Sequence, residues 1–372
     1  MKEQQIHIDW LDSLRGFAVL FVLAYHCLFW TFPSTHLPWN GHFRDLRQPV
    51  DFLVLIPVTF GWSGVAVFFV VSGFCIHLSF SRRNEFKHFY WKRFWRIFPP
   101  YFVAMAFFFA ADLAMGRFAS KEDAPFQFLT HLFLVHNLWQ ATYFGINPSF
   151  WSIGVEVQLY AIYPLLLVFQ KRLGWEWSLV LALTLEILCN LVPSILGFET
   201  QGLRVLSHGP FAYWFSWSLG AYLAQATLEY RVPKWLSIVN PAALLALVLL
   251  TWFYRPLTSF SFLSISLLTA SLMTTRLSYD PGRTQAGRRS ALRFVGMISY
   301  SLYLLHQPII SITNMAFSQF IPYTSLPNIA KYCVLFVTSA FLSIMASYIF
   351  YLLVERISID IGNKLALRFS KS

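Results

Sequence analysis

Arg15 and His26 lie eleven residues apart in one long apolar segment, Leu11–Phe32. A charged or titratable side chain inside a membrane span is costly and marks a pathway or a site. On a helix that spacing is roughly three turns, about 16 Å along one face. The face would present a guanidinium near one membrane surface and an imidazole deeper in. This suits a small reactive group carried on a long anionic handle. The imidazole could serve as general base or take the group itself.

Further candidates are spread along the chain. Lys92-Arg93-Phe94-Trp95-Arg96 stands just before Pro99-Pro100. Proline fits the first turn of a helix, so a span is expected to start there. Arg93 and Arg96 are three apart and can share a face, where two guanidiniums hold phosphate well. Membrane anchoring is the simpler role for the same charges. Glu156 follows Phe150-Trp151-Ser152-Ile153-Gly154-Val155 and lies about two helical turns into an apolar stretch. A carboxylate there needs a partner or a task. His26 is the expected partner, its tautomer fixed and its charged form stabilised by Glu156; a structural ion pair is the alternative. Ser72-Gly73 interrupts GVAVFFVVSGF at 64–74, where small residues allow close helix approach or room for a ligand. Ser299, Tyr303 and His306 recur at helical spacing in SYSLYLLH, lining a cavity or bridging helices. Asp112 and Glu186 carry no motif and read as structural, and Glu355-Arg356 reads as a surface pair. Cys27, Cys75, Cys189 and Cys333 each sit in an apolar run and read as small buried hydrophobes, with no zinc or disulfide pattern.

The elements that must position these residues follow from composition. The chain is 57% hydrophobic, with 39 Phe, 14 Trp and 17 Tyr among 372 residues. A soluble domain cannot hide that surface, so the expected fold is all-α, a polytopic membrane helix bundle. Ten spans are expected: Leu11–Phe32, Ile56–Phe80, Pro99–Met115, Phe150–Gln170, Ser178–Leu196, Pro210–Leu228, Leu236–Tyr254, Phe260–Thr275, Phe294–Phe317 and Ile329–Val354. Phe126–Leu138 is brief for a span and reads as a re-entrant or surface helix. The longest loops fall near 33–55, 116–149 and 276–293, the last holding Pro281, Gly282 and Gly287.

The net charge of +11 does not imply nucleic acid, because Lys and Arg gather in cytoplasmic loops of membrane proteins. With both termini cytoplasmic, twenty of the 28 Lys and Arg fall inside and seven outside, Arg15 lying in the membrane. A single membrane domain over 1–372 is expected, with its core at 11–356 and no appended soluble domain.

In order, these segments resemble the acyltransferase family 3 proteins, integral membrane O-acyltransferases of envelope sugars. The resemblance runs from Leu11 to Arg356 through LDSLRG with Arg-x10-His, GVAVFFVVSGF, the RxxR at Arg93 and Arg96, WSIGVE, SYSLYLLH and Glu355-Arg356. It implies an acyl-CoA donor, most simply acetyl-CoA, and a carbohydrate or glycolipid acceptor across a bacterial inner membrane. It implies His26 as the catalytic residue and Arg15, Arg93 and Arg96 as donor contacts; Glu156, the expected partner of His26, would orient it. Ser72, Trp151, Tyr300, Tyr303 and His306 stand in these motifs as candidate substrate-binding residues. No metal is called for, and the other partner is membrane lipid. Two departures are Val157, where many relatives have a second Glu, and Ile357, where they have Pro. A transporter or flippase for an envelope precursor is the competing class, but the paired repeat halves that many carriers show are not evident.

Overall fold

The structure is a computed structural model and describes residues 9–32, 50–118, 123–196, 201–231, 233–279 and 290–369. Most of the expected loop at 33–55, and Pro281, Gly282 and Gly287, lie outside those residues.

All regular structure among the described residues is helical. Hydrocarbon offers no water to the backbone, so a spanning segment must satisfy its own N–H and C=O groups. The principal helices are α1 (Asp9–Thr31), α2 (Gly64–Ser81), α3 (Phe86–Ala114), α4 (Asp123–Leu132), α5 (Phe150–Leu196), α6 (Gln201–His208) and α7 (Trp214–Leu228). They continue as α8 (Pro241–Phe253), α9 (Ser261–Tyr279), α10 (Ala291–Met297), α11 (Ser299–Ser318), α12 (Asn328–Phe350) and α13 (Arg356–Phe369).

Among the described residues, six stretches are long and apolar enough to cross a membrane, or seven if α10 and α11, bent by 86°, count as one. α5 has 47 residues, about 70 Å if straight, more than twice the roughly 30 Å hydrocarbon core. It breaks at Gly174, whose φ of 80° suits glycine. Trp151, near its start, packs its ring 5.9 Å from that of Tyr213. Asn190, near its end, donates to the Ala212 carbonyl at 2.9 Å. Both ends of α5 therefore reach one short segment, and the chain doubles back at Gly174. Two arms of α5, with the shorter α7 and α8, bring the spans to the ten expected. α4, ten residues long, is too short to span, as expected for 126–138.

Three expectations are corrected. α3 starts at Phe86, and Pro99-Pro100 lie inside it. The added turns are held by α13: Trp91 Nε1 donates to the Gly362 carbonyl at 2.8 Å. Cys333 is exposed on α12, unlike buried Cys27 and Cys189. Glu355 is buried and accepts from Ser301 Oγ at 2.5 Å, so it forms no surface pair. A π-helical turn at Tyr351–Glu355 shifts the helix register there and turns this carboxylate inward.

Prolines inside helices explain several contacts between elements. A proline has no N–H, so the carbonyl four residues earlier loses its bond. Pro99 frees the Trp95 carbonyl, which accepts from Ser358 Oγ. Pro164 frees the Tyr160 carbonyl, which accepts from Tyr90 OH at 3.2 Å. Pro308 frees the Leu304 carbonyl, which accepts from Asn147 Nδ2 at 2.9 Å. In each case a side chain from elsewhere fills the gap, as a membrane interior demands.

Backbone contact sets the bundle axis. A Cβ on Gly73 of α2 would lie 1.9 Å from the Trp217 carbonyl oxygen of α7, and one on Gly220 would lie 1.9 Å from that of Val70. This reciprocal pair lets α2 and α7 touch.

Candidate active site

α1, α2, α3, the first arm of α5 and α11 enclose a cavity of about 310 Å³. Arg15, Arg82, Arg93 and Arg96 line it, with Asp12 and Glu156 as the acidic groups. The first turns of α3 carry Arg93 and Arg96 on one face, as their spacing predicts. Arg93 Nε is buried and has no hydrogen-bond partner among the described residues. A buried donor left unfilled calls for an acceptor, and Arg93 lines the chamber where one could bind. Tyr300 lines the same chamber and donates to the Ile97 carbonyl at 2.8 Å.

Glu156 closes one wall. Ser72 Oγ donates to its Oε1 at 2.6 Å, and Tyr160 OH donates to the same oxygen. Trp217 Nε1 donates to Ser72 Oγ at 3.3 Å. The expected pairing of Glu156 with His26 is overturned: the first arm of α5 turns Glu156 towards α2, and other groups occupy both nitrogens of His26. His306 Nε2 lies 3.0 Å from His26 Nδ1, and Gln307 Nε2 lies 2.9 Å from His26 Nε2. His26 is thus served by α11 and has no bond to the carboxylate.

Beyond the first chamber is a second pocket of about 30 Å³, lined by His26, Gln307, Ser149, Trp62, Trp151 and Phe144. It has room for one or two waters, so a larger ligand must open it. Val65 and Tyr303 line both spaces and form the wall between them. Tyr303 is held there by a 2.7 Å hydrogen bond between its hydroxyl and Ser152 Oγ.

The structure therefore sorts the candidates into two sets. Arg15, Arg93, Arg96, Ser72, Glu156 and Tyr300 face the cation-lined chamber. His26 and Trp151 face the small pocket, Tyr303 stands between, and His306 is fully buried behind His26. Sequence reasoning missed Arg82, counted only as a topological charge, and Gln307, which follows His306 directly. It also missed Trp62, Phe144 and Ser149, which lie in no polar pattern. Helical spacing from Arg15 to His26 places both residues along α1, but the Val65–Tyr303 wall separates their cavities.

A family model described as "Acyltransferase domain" matches residues 8–348. The peptidoglycan O-acetyltransferase OatA of Listeria monocytogenes is 25% identical over 344 residues, covering 83% of this chain and 50% of that protein. Acyltransferase MdmB of Streptomyces mycarofaciens is 25% identical over 327 residues, covering 82% and 80%. Nodulation protein 10 of Rhizobium leguminosarum is 28% identical over 192 residues, covering 47% and 48%. The chain thus spans about half the length of the first and last of these relatives. No solved structure matches it. With the family match running from the start of α1 almost to the end of α12, this multi-pass membrane protein belongs to acyltransferase family 3.

Proposed function

We propose that this protein moves a short acyl group, most simply acetyl, from acyl-CoA to a hydroxyl of a carbohydrate or glycolipid on the other face of the membrane. The observation that carries this reading is the pair of unlike cavities sharing one wall. The first holds four arginines and suits a phosphate-bearing donor. The second holds His26 beside Trp62, Trp151 and Phe144, an aromatic lining that suits the apolar faces of a sugar. The thioester end would reach the wall at Val65 and Tyr303, and a narrow wall favours a small acyl group.

In the reaction the acceptor O–H gives its proton to His26. The oxygen bonds to the thioester carbonyl carbon, the C–S bond breaks, and the CoA thiolate leaves to take up a proton. Trp151 and Tyr303 border the acceptor. Ser72 and Glu156 shape the donor chamber, and closure of that chamber limits thioester hydrolysis. The names of the relatives, which include O-acetyltransferases, support the reading.

The test compares wild type with His26→Ala at matched levels in membranes, following label from acetyl-CoA into extractable envelope glycan. Label with wild type alone is expected, and mass spectrometry then identifies the acceptor. Equal label in both removes His26 from the chemistry. No label in either, together with movement of an envelope precursor across the membrane, would make the protein a carrier.

A further inference from the structure

We infer that His306 sets the tautomer of His26 and so decides which of its nitrogens acts on the acceptor. This rests on the reading of His26 as the base. His306 Nδ1 lies 2.9 Å from the Tyr303 carbonyl oxygen and 3.2 Å from that of Leu302. A carbonyl only accepts, so Nδ1 carries the proton, and a neutral His306 has a bare Nε2. That nitrogen is 3.0 Å from His26 Nδ1. Two bare nitrogens would repel, so His26 Nδ1 carries a proton and donates it to His306. Ser149 Oγ, 3.4 Å from the same His306 nitrogen, is a second donor to it.

One further contact agrees. Gln307 Nε2, 2.9 Å from His26 Nε2, is an amide that can only donate. The opposite orientation of that amide would require a proton on Nε2 and remove the donor to His306. A charged His306 is disfavoured, because it is fully buried and, among the described residues, its bonds go to carbonyls, a hydroxyl and an imidazole.

His26 Nε2 therefore keeps its lone pair, on a ring that lines the small pocket with Gln307. An arriving hydroxyl replaces the Gln307 amide there and gives up its proton to Nε2. His26 is then a cation whose Nδ1–H stays bonded to His306. His306 is a positioning residue, anchored to the main chain of α11, and not the substrate contact that its place in the motif suggested.

The experiment is 15N NMR of the full chain in lipid bilayers with labelled histidine, at about pH 8 where imidazoles are neutral. His26→Gln identifies the His26 signals. Wild type is expected to show His26 with Nδ1 protonated and Nε2 bare. His306→Leu should shift His26 towards the Nε2–H form and lower kcat roughly 100-fold, the scale of a lost general base, with KM for acyl-CoA unchanged. In His306→Gln the side-chain oxygen can still accept from Nδ1–H, so this variant should keep the tautomer and recover at least about tenfold of the loss. A protonated Nε2 in wild type overturns the inference, and needs no variant to fold. So does an unchanged His26 tautomer in His306→Leu. The expected tautomer in a wild type that transfers no acyl group would uphold the role of His306 and sink the reading of His26 as the base in acyl transfer.

Discussion

At Arg93, which lines the chamber, the buried Nε has no hydrogen-bond partner among the described residues. Its neighbours in that space, Arg15, Arg82 and Arg96, bring the arginines to four against the acidic Asp12 and Glu156, an excess of positive charge that suits an anion. The planar fork of arginine binds phosphate oxygens in pairs, whereas a lysine is a single point charge. Arg93→Lys should therefore raise KM for acyl-CoA about tenfold and leave kcat near wild type, because the contact is made equally before and during reaction. Steady-state kinetics in membranes measures both. An unchanged KM would take Arg93 out of donor binding. The residue types alone pointed to Arg15 and His26, since cations and imidazoles in apolar surroundings are expensive, whereas for Arg93 and Arg96 anchoring was the simpler role and the resemblance supplied the donor contact. They could not show that His26 is served by His306 and Gln307, because those residues come from α11, 280 and 281 positions away.

At the scale of elements, the prolines of the bundle act as connectors. Pro308 lies two residues after His306, and the Leu304 carbonyl that it frees is bound by Asn147. Asn147 Oδ1 also accepts from the Ser149 backbone N–H at 3.0 Å. This one side chain fastens the segment before α5 to the part of α11 that carries His306. Asn147→Ala should leave a buried carbonyl unsatisfied and cost about 1–3 kcal/mol. Pro308→Ala restores a backbone N–H that can bond Leu304, so the double variant should lose less than the two single changes added together. Thermal unfolding of the four proteins in detergent checks this, and simple additivity would count against the compensation. Helix existence was legible from apolar runs, including the doubling back near Gly174. The start of α3 was not, because its early turns are held by contacts with α13, which outweigh the proline signal at 99–100.

Across the whole molecule, the Arg15 end of α1 meets the early turns of α3 at the arginine-lined chamber, α13 joins α3 there through Trp91 and Gly362, and α10 joins α1 through Arg293 and Asp9 at 2.7 Å. The excess of Lys and Arg in the flanking segments leads us to propose that this end faces the cytoplasm. Acyl-CoA does not cross membranes, so labelled donor should be consumed by inverted vesicles and spared by right-side-out ones. The reverse result would turn the protein over. The sequence by itself determined a polytopic helical bundle, its approximate spans and the residues whose burial had to be compensated, because hydrophobicity and charge act along the chain over short distances. Tertiary structure alone decided that Arg15 and His26 face different cavities, that Val65 and Tyr303 part them, and that Glu156 and Glu355 turn to Ser72 and Ser301. Those partnerships depend on how helices far apart in the chain rotate and cross, which glycine contacts and freed carbonyls set and which no periodicity records.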